Sequence, residues 1–378
     1  MADLRNVAIV GAYLTEQGTF PQRSGASLYV EAVKGALADA GLSVKDVDGV
    51  IGSGPNGEGM GASAFADYFG VPIKFHDSVS IGAASQAGGA CHAAFAIANG
   101  LATTVIIPTG SGGQGGGGEG PDRNPPFESL WGSTRTGDYA MVARRHMHEF
   151  GTTSEQLAEI AVAFRRHATM TPTSVMGPRG LITIDDVVNS RMIADPLHLF
   201  ECCLVNHGGG AVVLTTAERA RDLSKQPIYL KGYGEGFTFR DRMSAPSMIS
   251  FGGVYSAPKA LGMAGVSHDD IDVVGMSDHF TIDVLVELED IGFCKKGEGG
   301  PFVQGGTLQV GGKLPTNTDG GFLSHSHGGS CGIYTLVELV RQLRGECGER
   351  QVKDAKIAMA HGTGGFFNAQ YTAILGRD

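Results

Sequence analysis

One segment of this chain occurs twice, and the duplication constrains the fold more than any other feature. Residues 38–50 (ADAGLSVKDVDGV) return without a gap at residues 262–274 (GMAGVSHDDIDVV). Five aligned pairs are identical: Ala40 and Ala264, Gly41 and Gly265, Ser43 and Ser267, Asp46 and Asp270, and Asp48 and Asp272. Both copies predict a helix that ends at a glycine, a turn that begins at a serine, and a buried strand. A repeated helix-to-strand unit favours an α/β fold with two similar halves.

The flanking sequence agrees with this division. Residues 88–110 and 329–365 each predict a helix followed by a buried strand. The insertion between the halves begins with a glycine-rich segment at 110–126. This segment is either a linker or a loop over an active site. The predicted boundaries are an N-terminal half at 1–120, a central region at 121–224 with the end of that half, and a C-terminal half at 225–378.

Composition excludes several classes of protein. The net charge is −10 with no long basic run, which argues against binding of nucleic acid. No apolar stretch reaches the roughly 18–20 residues that a membrane span needs. The N-terminal sequence MADLRNVAIVGAYL predicts a first strand and lacks the pattern of a signal peptide, so we expect a cytoplasmic protein. The six cysteines form no CxxC pair and are expected to be reduced thiols.

A glycine-lined turn at residues 80–100 (SIGAASQAGGACHAAFAIANG) runs into a predicted helix. Several enzyme folds display a nucleophile at such a turn. Here the turn carries Ala83 and Ala84, whereas the only thiol of the segment, Cys91, lies roughly 12 Å further along the helix. We therefore interpret Cys91 as a structural residue.

Long motifs elsewhere resemble the thiolase superfamily, in the branch of sterol-carrier-protein and lipid-transfer-like thiolases. They are SDHFTIDVLVELEDIGFCKKGEGG at 277–300, LPTNTDGGFLSHSHGG at 314–329 and ELVRQLRGECGERQV at 338–352. The resemblance covers essentially the whole chain. It implies a five-layer αβαβα sandwich of duplicated halves, a homodimer, and chemistry at a carbon–carbon bond beside a coenzyme A thioester.

The resemblance also implies site residues, but the acyl-accepting cysteine is missing. Ala83 occupies the position of the thiolase nucleophile, and a methyl group cannot attack a thioester. The histidine of the family's GHP-type loop falls on His327, and His279 takes the acid/base position of the HDCF-type loop. The implied catalytic residues are His327, His279, His361, Asp278 and Ser277, and the implied thioester neighbours are Ala83, Gly329 and Gly364.

An aldol or retro-aldol reaction needs a base and an enolate stabiliser but no acyl-enzyme. The resemblance to thiolase-fold steroid side-chain aldolases, which lack the thiolase cysteine, predicts a lyase acting on a β-hydroxyacyl-CoA. The alternatives are an acetyltransferase or 3-ketoacyl-CoA thiolase that uses Cys331 or Cys91, and a non-catalytic subunit. We expect no permanently bound cofactor and no metal site. The coenzyme A thioester is expected to be the substrate. A small OB-fold/zinc-ribbon protein is a candidate partner.

Overall fold

The computed structural model describes residues 4–52, 54–55, 61–112, 132–239, 245–328 and 331–377. The strands are β1 (Val7–Leu14), β2 (Gly49–Ile51), β3 (Phe75–Asp77), β4 (Thr104–Ser111), β5 (Met192–Ala194), β6 (Leu197–His198), β7 (Gly208–Thr216), β8 (Ile228–Phe237), β9 (Val273–Met276), β10 (Ile357–Gly364) and β11 (Ala369–Gly376). The α-helices are α1 (Gly25–Ala40), α2 (Gly61–Phe69), α3 (Ser85–Ala98), α4 (Arg135–Phe150), α5 (Ser154–Thr169), α6 (Ile184–Val188), α7 (Ala217–Arg221), α8 (Gly253–Ala264), α9 (Thr281–Asp290), α10 (Gly299–Val303), α11 (Gly321–Ser324) and α12 (Gly332–Arg344).

The duplicated segments fold alike. Helix α1 ends at Gly41 with φ 69°, and helix α8 ends at Gly265 with φ 70°. Both glycines adopt the left-handed conformation, which glycine tolerates because it lacks a Cβ. A short 3-10 turn follows each helix and leads into β2 or β9. The predicted order of helix, glycine cap, turn and strand is present in both copies.

Nine strands form one mixed sheet in the order β3-β2-β4-β7-β1-β8-β11-β10-β9, and β5 and β6 form a separate hairpin. The sheet has an N-terminal part, from β3 to β1, and a C-terminal part, from β8 to β9. A short pairing of β1 with β8 joins the two parts, with Ala8 opposite Tyr229 and Ile9 opposite Ile228. The strand β7, from the end of the central region, pairs between β4 and β1 in the N-terminal part.

Helices α3 and α12 lie between the two parts of the sheet. One hydrophobic cluster contains Cys91 of α3, Val337 of α12, Leu214 of β7 and Ala360 of β10. Helix α1 packs on the outer face of the N-terminal part, and α8 and α9 pack on the outer face of the C-terminal part. The layers therefore alternate as α, β, α, β, α, and the predicted duplicated thiolase-like α/β sandwich is confirmed.

The small residues of α3 explain how this helix fits between two sheet faces. A Cβ atom at Gly88 would lie 2.8 Å from the ring of Tyr371, and one at Gly89 would lie 3.2 Å from Ile51. Tyr371 belongs to the C-terminal part of the sheet and Ile51 to the N-terminal part. The glycines therefore allow both parts to approach the helix closely.

Most of the glycine-rich segment at 110–126 lies outside the described residues, and so does Gly329. Among the described helices, none combines the length and the apolar character that a membrane crossing requires.

Candidate active site

Two predicted histidines meet in space. The imidazole rings of His279 and His327 contact each other edge to face, with centroids 5.3 Å apart and ring planes at 88°. His279 lies in the loop between β9 and α9, and His327 in the loop between α11 and α12. The ring of Phe322 packs 5.4 Å from each imidazole. The fold thus brings together residues that are 48 positions apart in the sequence.

Each imidazole is held through its Nδ1 atom. Nδ1 of His327 lies 3.0 Å from the carbonyl oxygen of Leu204, and Nδ1 of His279 lies 2.9 Å from Oδ2 of Asp283. A carbonyl oxygen can only accept, so His327 carries its proton on Nδ1. Neither Nε2 atom has a hydrogen-bond partner in the part of the chain that the structure describes. Both Nε2 atoms are therefore free for a substrate.

Burial keeps both imidazoles neutral. It lowers the pKa of His279 to about 3, with a further contribution from the Arg135 guanidinium. Burial also lowers the pKa of His327 to about 3, and the neighbouring His279 and Arg135 act in the same direction. Burial raises the pKa of the Asp283 carboxyl well above its usual range. At neutral pH both imidazoles are therefore uncharged, and burial shifts the neighbouring Asp283 carboxyl towards its protonated form.

A strap, residues 203–206, ties the two histidine loops together. The amide of Cys203 donates to the carbonyl of His279 over 2.8 Å. The amide of His327 donates to Oδ1 of Asn206 over 2.8 Å, and the Asn206 side chain donates to Oγ of Ser326 over 2.9 Å. Because the strap also supplies the Leu204 carbonyl, it fixes both the position and the tautomer of His327.

Asp278 and Ser277 face other partners. The buried carboxylate of Asp278 accepts the backbone amides of Phe322 and Leu323, at 2.8 and 3.0 Å, in the first turn of α11. Asp278 therefore caps α11, the short helix that precedes the loop of His327. Oγ of Ser277 accepts the amide of Thr363 over 3.0 Å. These contacts assign the two residues to the support of the histidine loops.

His361 does not contact the histidine pair. Its neighbour Ala360 faces the central helices, whereas the His361 ring faces the outer helical layer, since side chains alternate along a strand. Nδ1 of His361 lies 2.9 Å from Oγ1 of Thr372, and Nε2 lies 3.9 Å from Oε2 of the buried Glu287. His361 nevertheless lines the small cavity that Ala83 and Ser277 share, so its role as a catalytic residue stays a prediction.

The turn at Ala83 packs against backbone from the other half. A Cβ atom at Gly332 would lie 1.9 Å from the Ala83 carbonyl oxygen, and one at Gly364 would lie 1.4 Å from the Ile81 carbonyl oxygen. Ala83 and Ser277 line a small cavity together with Gly332 and Gly362. The start of α3 therefore lies next to the start of α12, and Ala83 presents only a methyl group there.

Cys331, the alternative nucleophile considered from the sequence, is a neighbour of the pair. One ring nitrogen of His279, one of His327 and Sγ of Cys331 all lie within 4.8 Å of one another. Burial raises the pKa of the Cys331 thiol, while backbone amides at the start of α12 act in the opposite direction. Cys91, by contrast, is fully buried inside α3, where burial raises its pKa well above the usual range.

Three further residues were missed by sequence reasoning. Asp283 lies in the first turn of α9, four positions after His279, and this spacing was the only available signal. Tyr139 is buried with its ring 4.5 Å from that of Phe280 and 6.4 Å from that of His279. Arg135, at the start of α4, acts electrostatically on both histidines. Nothing in the sequence around Tyr139 and Arg135 distinguishes them from an ordinary amphipathic helix.

The fold defines a thiolase-like scaffold, and the site within it is a pair of contacting histidines. A family model described as "Thiolase C-terminal domain-like" matches residues 234–377. An acetyl-CoA acetyltransferase of Methanothermobacter thermautotrophicus is 34% identical over 96% of this chain and 97% of its own length. The chain belongs to the thiolase superfamily.

Two further relatives are aldolases. A steroid side-chain-cleaving aldolase of Thermomonospora curvata is 34% identical over 94% of this chain and 95% of its own length. The solved structure of the Ltp2-ChsH2(DUF35) aldolase superposes with a TM-score of 0.90 at 31% identity, covering 100% of this chain and 99% of that chain. The resemblance to the steroid side-chain aldolases is therefore confirmed.

Proposed function

We propose that this protein is a carbon–carbon lyase that cleaves a β-hydroxyacyl-CoA by a retro-aldol reaction without an acyl-enzyme. The observation that carries the proposal is the contact between two neutral imidazoles, His279 and His327, in a thiolase scaffold with Ala83 at the nucleophile position. The acyl group would be a steroid or other lipid side chain. The reverse reaction, aldol formation, would use the same groups.

The hydrogen bonds indicate which histidine is the general base and which one stabilises the enolate. Because His327 donates through Nδ1 to the Leu204 carbonyl, its Nε2 carries a lone pair and serves as the general base. His279 faces Asp283, whose carboxyl favours the protonated form and can donate to Nδ1. That arrangement puts the His279 proton on Nε2, which then donates a hydrogen bond to the thioester oxygen.

The steps follow from these assignments. Nε2 of His327 removes the proton of the β-hydroxyl group, and the electron pair of that O–H bond forms the carbonyl of the departing ketone. The Cα–Cβ bond breaks, and its electrons form the enolate of the shortened acyl-CoA. The Nε2 proton of His279 stabilises the enolate oxygen. The imidazolium of His327 then gives the proton to Cα. This step forms the shortened acyl-CoA and restores the neutral imidazole.

The named relatives support this choice of reaction and suggest a partner. Two of them are aldolases, and both align with nearly the whole chain. The name Ltp2-ChsH2(DUF35) couples a thiolase-like chain with a second component. We propose that this chain also works with a small partner protein and forms a homodimer, with a coenzyme A thioester as substrate and no permanently bound cofactor.

The test is an assay of ketone release from a tertiary β-hydroxyacyl-CoA, with and without a DUF35-type partner. Release of ketone and of the shortened acyl-CoA in equal amounts is the expected result. Thiolysis of acetoacetyl-CoA in the absence of any ketone release from the tertiary substrate would overturn the proposal.

A second candidate, acyl transfer through Cys331, has one observation in its favour. Sγ of Cys331 lies within 4.8 Å of a nitrogen of each histidine, and one relative is an acetyl-CoA acetyltransferase. Against it, burial raises the pKa of the Cys331 thiol, whereas the nucleophile must be a thiolate. The candidate predicts an acyl group trapped on Cys331 from acetyl-CoA, lost in Cys331→Ala and kept in the remote control Cys294→Ala. The lyase predicts no trapped acyl group.

A further inference from the structure

We propose that His279, His327 and Cys331 form a binding site for a thiophilic divalent cation, best matched by Zn²⁺. One ring nitrogen of each histidine and the sulfur of Cys331 lie within 4.8 Å of one another. Two imidazoles and one thiolate are a donor set that Zn²⁺ binds in proteins. The three residues come from two loops and a helix start, so their spacing in the sequence gives no metal motif.

The surroundings of the two imidazoles match those of metal ligands. A ligating histidine usually donates its other ring N–H to a carboxylate or a backbone carbonyl, which orients the ring. Nδ1 of His279 lies 2.9 Å from the Asp283 carboxyl, and Nδ1 of His327 lies 3.0 Å from the Leu204 carbonyl. For His327 this contact leaves the Nε2 lone pair available, whereas for His279 a cation at Nε2 selects the other tautomer, in which Nδ1 donates its proton to the ionised Asp283 carboxylate.

The geometry needs only a small adjustment. With Zn–N bonds of about 2.0–2.1 Å and a Zn–S bond of about 2.3 Å, tetrahedral ligand atoms lie roughly 3.3–3.6 Å apart. From a spacing of up to 4.8 Å, the three donors would approach one another by up to about 1.2–1.5 Å. On binding, the Cys331 thiol loses its proton to solvent and the S–Zn bond replaces the S–H bond. Nε2 of His279 also releases its proton to solvent, while Nδ1 takes up the proton of the Asp283 carboxyl group.

The described residues supply three ligands and leave a fourth position for water or substrate. Three protein ligands with one open position are typical of exchangeable and catalytic zinc sites rather than closed structural ones. The cation occupies the same Nε2 atoms that the proposed function uses for proton transfer. It therefore blocks cleavage, and this consequence, unlike binding itself, rests on the proposed function.

The first experiment uses Co²⁺ as a spectroscopic probe on the full chain. We expect one Co²⁺ per chain, with a thiolate-to-cobalt charge-transfer band in the near ultraviolet and intense tetrahedral bands in the visible. Cys331→Ser should lose the charge-transfer band, His327→Ala should weaken binding at least tenfold, and Cys294→Ser should match the wild type. Circular dichroism and the melting temperature check that each variant is folded.

The outcomes separate the two proposals. Absence of a charge-transfer band in the wild type, or its persistence in Cys331→Ser, overturns the metal site. Displacement of Co²⁺ by Zn²⁺, with cleavage inhibited and restored by a chelator, supports both the site and its overlap with the catalytic pair. A normal cobalt spectrum with unchanged cleavage in the zinc-loaded protein supports the site and overturns the catalytic use of the Nε2 atoms.

Discussion

Nδ1 of His279 lies 2.9 Å from Oδ2 of Asp283, and the backbone amide of His279 donates to the same oxygen over 3.0 Å. A protonated carboxyl oxygen can accept the amide and donate to the imidazole at once. Asp283 has no exposed surface, and burial raises its pKa. In the proposed mechanism, this contact decides which nitrogen of His279 carries the proton.

Asp283→Asn tests that assignment. The amide oxygen should take the position of Oδ2, because the His279 backbone amide must be accepted there. The imidazole then donates through Nδ1 and presents a lone pair at Nε2. The enolate loses its donor, so we expect kcat to fall by about 10²–10³ with little change in KM. Steady-state kinetics of ketone release measure this, and a kcat within threefold of the wild type contradicts the tautomer assignment.

His327→Ala removes the proposed general base. We expect kcat to fall by about 10²–10⁴, the usual contribution of a positioned acid–base group. The exposed His148, on the last turn of α4, provides the matched control, and His148→Ala should retain wild-type turnover. Equal kcat values for the two variants would exclude His327 from proton transfer.

The pH profile follows from the neutral imidazoles. An exposed histidine base would lose activity tenfold per pH unit below about 6.5. The pKa of His279 and that of His327 are both lowered to about 3, so the free enzyme keeps its base unprotonated throughout the mildly acidic range. We expect kcat/KM to stay flat from pH 7 down to about pH 5. An acid limb centred near pH 6.5 contradicts the burial of the pair.

His361→Asn separates stability from catalysis. Burial lowers the pKa of His361 to about 3, so the unfolded chain takes up a proton between about pH 6.5 and 3 that the folded chain does not. The folded protein thus loses stability as the pH falls below 6.5. For each pH unit of acidification in that window, the free energy of unfolding of the variant should rise by up to about 1.4 kcal/mol relative to that of the wild type.

Urea unfolding at several pH values measures that difference, and ketone release measures the catalytic effect. We expect kcat of His361→Asn to stay within about threefold of the wild type, because the ring contacts Thr372 and Glu287 rather than the histidine pair. A hundredfold loss of kcat in a folded variant would show that His361 takes part in catalysis.

Ala83→Cys should restore a nucleophile to the thiolase position. A thiol here lies at the start of α3, beside Gly332 and within the cavity shared with Ser277. We expect acetyl-CoA to leave an acyl group on this variant, detected by mass spectrometry of the intact chain. Ala87 lines the same cavity one turn further along α3, so Ala87→Cys is the control and should stay unmodified. Equal labelling of the two variants contradicts the positional match.

The sequence predicts the repeated units because helix caps, serine turns and buried strands leave local patterns. The motifs also locate His279 and His327, since each follows an ordered loop signature. The neighbours of the pair are harder to predict. The Leu204 carbonyl and the Asn206 amide reach His327 across more than 100 residues, and these contacts leave no local periodicity.

The orientation of His361 was unpredictable for a different reason. Both faces of β10 are buried, so its sequence shows no alternation of apolar and polar residues from which a side could be chosen. The distance of the Cys331 sulfur from the two rings was also hard to predict. It follows His327 by four positions, but only the turn that starts α12 brings its sulfur back to the rings.

The strap at 203–206 bonds to both histidine loops before any substrate is present. Separate loops would each lose conformational freedom when a ligand brought them together, and part of the binding free energy would be consumed in that ordering. Here the ordering is completed when the chain folds. Lengthening the strap by one residue should therefore weaken the alignment of the two rings while leaving every side chain of the site intact.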